Sequence, residues 1–251
     1  MRFQVKYFSK PELNNPILIE GLPGIGNVGK IAADFLVDNL KAKKFIEITS
    51  TSFPNSVFVN EGNLIDLPKI EMYYKKGKRD FIFLNGDIQP LSEEGCYEFC
   101  ELILDIFVKI KGKEIITLGG IGMNKIPKSP LVYCTGNNQN IIKKYKTQNL
   151  NPNIFGVVGP IMGVTGLLIG LSGKRNIPAI VLLAQTFGHP TYLGIKGARE
   201  ILKILNNKLN LNIDLKKLDK EIINIEKERE IKNVKQVVPK INVGEETTYI
   251  G

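Results

Sequence analysis

Nine residues near the start of the chain, Gly21-Leu22-Pro23-Gly24-Ile25-Gly26-Asn27-Val28-Gly29, place four glycines between a short apolar run, Pro16 to Glu20, and a segment of helical spacing. In that segment Val28, Ile31, Phe35 and Leu36 recur at the intervals of one helix face. A strand, a glycine loop and a helix in that order commit the region to an α/β layer, and they aim backbone amides and a helix dipole where a phosphate could sit. The dinucleotide spacing G-x-G-x-x-G is present at Gly24, Gly26 and Gly29. Its ribose-binding acid is expected about 20 residues on, at a strand end. Glu47, 18 residues after Gly29, falls inside the next strand instead. A phosphate loop needs G-K-[ST], and Gly29-Lys30 is followed by Ile31. The loop therefore reads as tight backbone packing, with a small-ligand site at Gly24 to Gly29 as the competing reading.

The rest of the chain continues the alternation. Lys44 to Ser52, Ser56 to Val59 and Leu67 to Tyr74 read as strands broken by Pro54-Asn55 and Glu61-Gly62-Asn63, an antiparallel insertion before the sheet resumes at Phe81 to Leu84. Leu91 to Ile110 is a long amphipathic helix with Ser92 as N-cap and Gly112 as its stop. Further strands are expected at Glu114 to Gly120, Leu131 to Cys134, Ile154 to Val158 and Ala179 to Ala184. Further helices are expected at Asn138 to Lys146, Met162 to Ser172 and Lys196 to Leu209. Apolar strands alternating with helices predict a three-layer α/β/α sandwich around a mainly parallel sheet, in one core domain over 1–212.

From Asp214 to Asn233 the apolar residues narrow to a seam, Leu215, Leu218, Ile222 and Ile225, with Lys and Glu elsewhere. That segment is predicted as an amphipathic C-terminal helix, 213–236, whose seam packs on its own domain or on a second copy. Residues 237–251, beginning Val237-Val238-Pro239, have the polar, turn-rich character of a flexible tail.

Composition removes several function classes. The start, Met1 to Phe8, is too short and too charged for a signal peptide, and no apolar run reaches the roughly 20 residues a bilayer requires. A cytoplasmic protein without membrane contact is expected. Cys96, Cys100 and Cys134 with the single His189 lack paired metal-binding spacing, so no metal is assigned and the thiols are expected to be buried and reduced. A net charge of +9 raises nucleic acid as a partner, but the lysines are scattered and no row of aromatics accompanies them. No nucleic-acid partner and no cofactor are expected.

Two titratable residues are candidates for chemistry. Asp87, in Asn85-Gly86-Asp87-Ile88-Gln89-Pro90, follows a buried strand and is either a general base or a turn-forming or helix-capping Asp. His189 is the one conventional base near pH 7, without a G-x-S-x-G elbow to supply a nucleophile. No catalytic set assembles from these residues.

Several segments then occur in a telling order: the Gly21 to Gly29 loop, Gly86-Asp87-Ile88-Gln89-Pro90, Leu118-Gly119-Gly120-Ile121-Gly122, Gly159 to Gly170 with its Gly163-Val164-Thr165-Gly166-Leu167-Leu168 core, and Gln185-Thr186-Phe187-Gly188. Together they resemble the archaeal branch of the proteasome assembly chaperone family, homologues of the second eukaryotic chaperone, over roughly residues 15 to 210. The resemblance implies a nucleoside-phosphorylase-like α/β/α fold and a non-enzymatic, ATP-independent assembly chaperone or activator. It implies a homo-oligomer that binds the α-subunits or α-ring of the 20S proteasome, some members through a C-terminal hydrophobic-Tyr-any tail. Here the chain ends Tyr249-Ile250-Gly251, with the tyrosine one place earlier than that pattern. These three are the expected partner-binding residues. Gln185 stands where the family usually has Glu. The alternative function is a nucleoside- or nucleotide-binding enzyme of nucleoside-phosphorylase type.

Overall fold

Runs such as Ile17-Leu18-Ile19 and Phe81 to Leu84 become strands because both of their faces are covered, which buries every side chain in them. In the computed structural model, which describes residues 2–220 and 222–223, the chain divides into two compact units, Met1–Leu215 and Lys216–Gly251. The first unit begins with β1 (Phe3–Tyr7), β2 (Ile17–Glu20), a 3-10 turn at Ile25–Asn27 and α1 (Val28–Asn39). It continues with β3 (Lys43–Ser50), β4 (Phe58–Val59), β5 (Ile65–Asp66), β6 (Ile70–Lys75), β7 (Phe81–Gly86) and α2 (Glu93–Lys109). After these come β8 (Glu114–Met123), β9 (Val132–Gly136), α3 (Gln139–Tyr145), β10 (Leu150–Asn151), α4 (Gly163–Lys174), β11 (Ala179–Phe187) and α5 (Ile195–Leu209). Residues 216–220 and 222–223 of the second unit are helical. Ile225, the remainder of the expected helix and the expected tail lie outside the described residues.

Among the described residues nine strands form one sheet in the order β1-β3-β6-β7-β2-β8-β11-β9-β10. The block β7-β2-β8-β11 is parallel, but β1, β3 and β6 join its edge antiparallel, and β9 pairs antiparallel with β11. The expectation of a mainly parallel sheet is thus corrected to a mixed one. Connection length is the physical reason. Only residues 76–80 separate β6 from β7, too few for the crossover that a parallel pair needs. The alternation in β6, with Ile70 and Met72 buried between the more open Glu71 and Tyr73, fits an antiparallel neighbour with one wetter face.

Side-chain alternation builds two apolar layers. Leu18, Ile82, Leu84, Ile115, Val181 and Leu183 share one cluster with Phe99, Ile103 and Phe107 of α2 and with Val164 and Leu168 of α4. The alternate residues Ile17, Ile19, Phe83, Ile116 and Leu182 are equally buried but outside that cluster, on the face served by α1 and α5. Ser92 caps α2 by accepting from the Gly95 amide at 3.1 Å, as its sequence position foretold. Arg175, just past α4, reaches across to α2 and pairs with Asp105 at 2.7 Å and with Glu101.

One expected strand is absent. Ile154 to Val158 folds as a tight turn, in which the Ile154 carbonyl accepts from the amides of Val157 at 3.0 Å and Val158 at 3.2 Å. Gly156, at φ 78°, reverses the chain there. The strand of this region is β10, just before it. No helix among the described residues is long and apolar enough to cross a membrane.

Candidate functional site

The carboxyl ends of β2, β8 and β11 converge where α/β sheets build ligand crevices, and the glycine segments gather there. Backbone crowding accounts for two of the loop glycines. A Cβ on Gly29 would lie 2.3 Å from the Leu118 carbonyl oxygen of β8, so α1 seats its first turn directly on the sheet. Gly26 has φ 61° and presses on Thr186, and its carbonyl accepts from the Gly194 amide at 2.7 Å, which fastens the loop to the start of α5.

Between this loop, the β8 glycines and the start of α4 lies a cavity of about 260 Å³, lined by Ile25, Gln89, Leu118, Ile161, Met162 and Thr165 among others. Gln89 holds two of its walls together. Its amide nitrogen donates to the Pro23 carbonyl at 2.8 Å, and its amide oxygen accepts from the Val164 amide at 3.1 Å. The α4 N-terminus is therefore partly satisfied by protein.

Below Thr165 sits Glu20, the last residue of β2 and wholly buried. Its carboxyl accepts from the Leu22 amide at 2.9 Å and from the Thr165 hydroxyl at 3.3 Å, while the Thr117 hydroxyl donates to the Thr165 carbonyl at 3.0 Å. Burial pushes the Glu20 carboxyl up to about 8, against the opposing pull of those hydrogen bonds. At neutral pH it is chiefly a neutral acid that ties β2 to α4. Sequence reasoning missed Glu20, Gln89, Thr117 and Thr165 as a group. The available signal was polarity in the wrong place: one acid ending Ile17-Leu18-Ile19, and one threonine inside Ile115-Ile116-Thr117-Leu118.

The sequence-derived candidates disperse. Glu47 lies on β3, separated from β2 by β6 and β7, and is paired with Lys44 at 3.0 Å. It is thus placed on a different part of the sheet from the loop's own strand. Asp87 is exposed and braces the β7 end against the start of β6. Its carboxylate accepts from the Lys69 amide at 3.4 Å and its own amide donates to the Lys69 carbonyl at 3.1 Å. His189 is exposed beyond β11, with Nδ1 3.0 Å from the Thr191 hydroxyl and the ring stacked on Phe187. His189 serves a local turn, and Asp87 holds two strand ends together. Gln185 likewise has a packing task, accepting through its side chain from the Leu131 amide at 3.2 Å. Cys96, Cys100 and Cys134 are buried free thiols, as expected, and burial pushes Cys134 up to about 11. Among the described residues no group of three or more His, Cys, Asp or Glu could hold a metal ion. Tyr249, Ile250 and Gly251 lie outside the described residues.

Residues 18–232, which include the glycine cleft and the Glu20–Thr165 tie, match the model of the PAC2 family. The chain belongs to the PAC2 family. An uncharacterized protein of Methanocaldococcus jannaschii is 31% identical over 251 residues, covering 98% of this chain and 92% of the relative. Pyrococcus furiosus PbaB, described as an archaeal proteasome activator, has a similar structure with a TM-score of 0.85 at 32% identity, covering 94% of this chain and 100% of that one. Pyrococcus furiosus PbaA, described as an archaeal homolog of proteasome-assembly chaperone, follows with a TM-score of 0.75 at 27% identity, covering 93% and 94%. The PAC2 resemblance read from the glycine segments is thereby established. In this PAC2 protein those segments meet as neighbours in one region, the loop on β8 and the α4 start beside it.

Proposed function

We propose that this protein is a non-enzymatic, ATP-independent proteasome assembly chaperone or core-proteasome activator, acting in the cytoplasm as a homo-oligomer on the α-subunits or α-ring of 20S particles. The full-length likeness to PbaB, a protein described as a proteasome activator, carries this reading. The site geometry supports it. Gly26 and Gly29 are used in backbone packing, Asp87 in bracing two strand ends and His189 in a local turn, which leaves the motif residues with structural duties. The C-terminal residues Tyr249, Ile250 and Gly251 are the proposed contact, the terminal carboxylate meeting a cationic pocket while the aromatic ring packs beside it.

Pull-down with 20S particles, comparing the full chain with one ending at residue 239, tests both parts. Binding by the full chain alone is the expected result. Equal binding by both forms would discard the tail, and binding by neither would discard the proteasome.

A further inference from the structure

The insertion between β3 and β6 forms a hairpin of its own outside the main sheet, in which Phe58 pairs with Asp66 and Val59 with Ile65. Side chains alternate across such a ribbon, so Val57, Val59, Ile65 and Leu67 share one face. That face is wholly aliphatic and open: Val59 is 69% and Ile65 68% exposed. The turn is pre-formed. The Asn60 side-chain oxygen accepts from the amides of Gly62 and Leu64, both at 3.0 Å, and its amide nitrogen donates to Asp66 at 3.0 Å. An isolated two-stranded ribbon is marginal in water, and a rigid aliphatic face costs little ordering entropy when it docks.

Charge selects the occupant. The segment 51–68 carries Glu61 and Asp66 and no lysine or arginine, on a chain of net charge +9. The loop 124–131, between β8 and β9, has the complementary make-up: exposed Ile126 and Leu131 beside Lys125 and Lys128, with no acid. Both segments lie at the carboxyl end of the parallel strands, because Ile70 pairs with Gly86 of β7 and Val132 with Ala184 of β11. In the sheet order β6 and β9 are five strand steps apart, about 24 Å, on opposite sides of β2. The hairpin of one molecule is therefore well placed to meet this loop on a neighbour.

We propose that the aliphatic hairpin face of one copy docks on the basic 124–131 loop of the next, with Glu61 at the hairpin turn meeting Lys125 and Lys128. The contact joins two different patches, so repeated copies close into a ring when the rotation between them allows. Hairpin-on-hairpin pairing would set acid against acid and is disfavoured. This deepens the homo-oligomer of the proposed function by naming its surface.

Sedimentation of the full chain at about 10 µM, a concentration that reads micromolar association, provides the test. The parent is expected to be oligomeric. E61K and K125E/K128E should each weaken association at least tenfold, and the three substitutions together in one chain should restore it. V59S/I65S should also dissociate the assembly while far-UV circular dichroism stays that of the parent. A monomeric parent, charge variants that assemble like the parent, or a triple charge-swap variant that stays apart would each overturn the interface. A pull-down of 20S particles by an assembly that responds in this way separates the two ideas. If it fails, the proteasome reading falls and the interface stands.

Discussion

The Thr165 hydroxyl meets the Glu20 carboxyl at 3.3 Å across 145 positions of sequence. This contact joins the end of β2 to the first turn of α4 directly under the glycine-lined cavity, and it places an acid where water cannot solvate its charge. Its consequence is a stability that depends on pH.

With the folded value raised to about 8 and an unfolded value near 4.3, Glu20 keeps its proton in the fold while the unfolded chain loses it. The contribution is fully present below about pH 4, declines as pH rises, and is lost above about 8. Glu20→Gln should flatten this window, matching the parent near pH 4.5 and exceeding it near pH 8.5 by on the order of a few kcal/mol. Urea unfolding at the two pH values measures it, and parallel pH profiles for parent and variant would refute it.

If the loop glycines serve packing, two alanine substitutions should differ sharply. Gly29→Ala drives a Cβ to 2.3 Å from the Leu118 carbonyl and is expected to cost about 1–3 kcal/mol or more. Gly24→Ala meets nothing within 4 Å and should stay within about 0.5 kcal/mol of the parent. Purine nucleosides should shift the melting temperature of neither form, and a saturable shift would reinstate a ligand site.

Two polar residues near the end of α4 should separate surface pairing from buried hydrogen bonding. Asn137 donates to the Ile177 carbonyl at 2.7 Å and accepts from the Ala179 amide at 3.0 Å. Its replacement by alanine strands both groups and should cost about 2–3 kcal/mol. Arg175→Ala removes partly exposed ion pairs and should cost under about 1 kcal/mol. Equal losses in thermal unfolding would contradict this ranking.

The three thiols should resist a charged disulfide reagent in the native protein and react together on unfolding. All are buried, and Cys134 is also pushed up to about 11. Rapid labelling of Cys134 under native conditions would count against the packing of β9.

Much of the fold was legible where a local rule operates alone. Ser92 announced the start of α2, and the run Ile17-Leu18-Ile19 announced a buried strand, because capping and apolar length are written in neighbouring residues. The failures share a different cause. Phe3–Tyr7 becomes an edge strand only because β3 is there to pair with it, and Ile154 to Val158 has strand-like residues but turns at Gly156. The site showed the same division. The glycines were visible, whereas Gln89 acquires its bridging task only when Pro23 and Val164 are brought to either end of it.

By itself the sequence determined the α/β class, the strand-loop-helix unit and, through its ordered glycine segments, membership of the PAC2 family. Only the tertiary structure decided that the sheet is mixed, that Glu47 stands off from the loop, and that Glu20 lies sealed beneath Thr165. Strand order and burial depend on which distant segments pair, and pairing is a property of the packed sheet that no local spacing encodes.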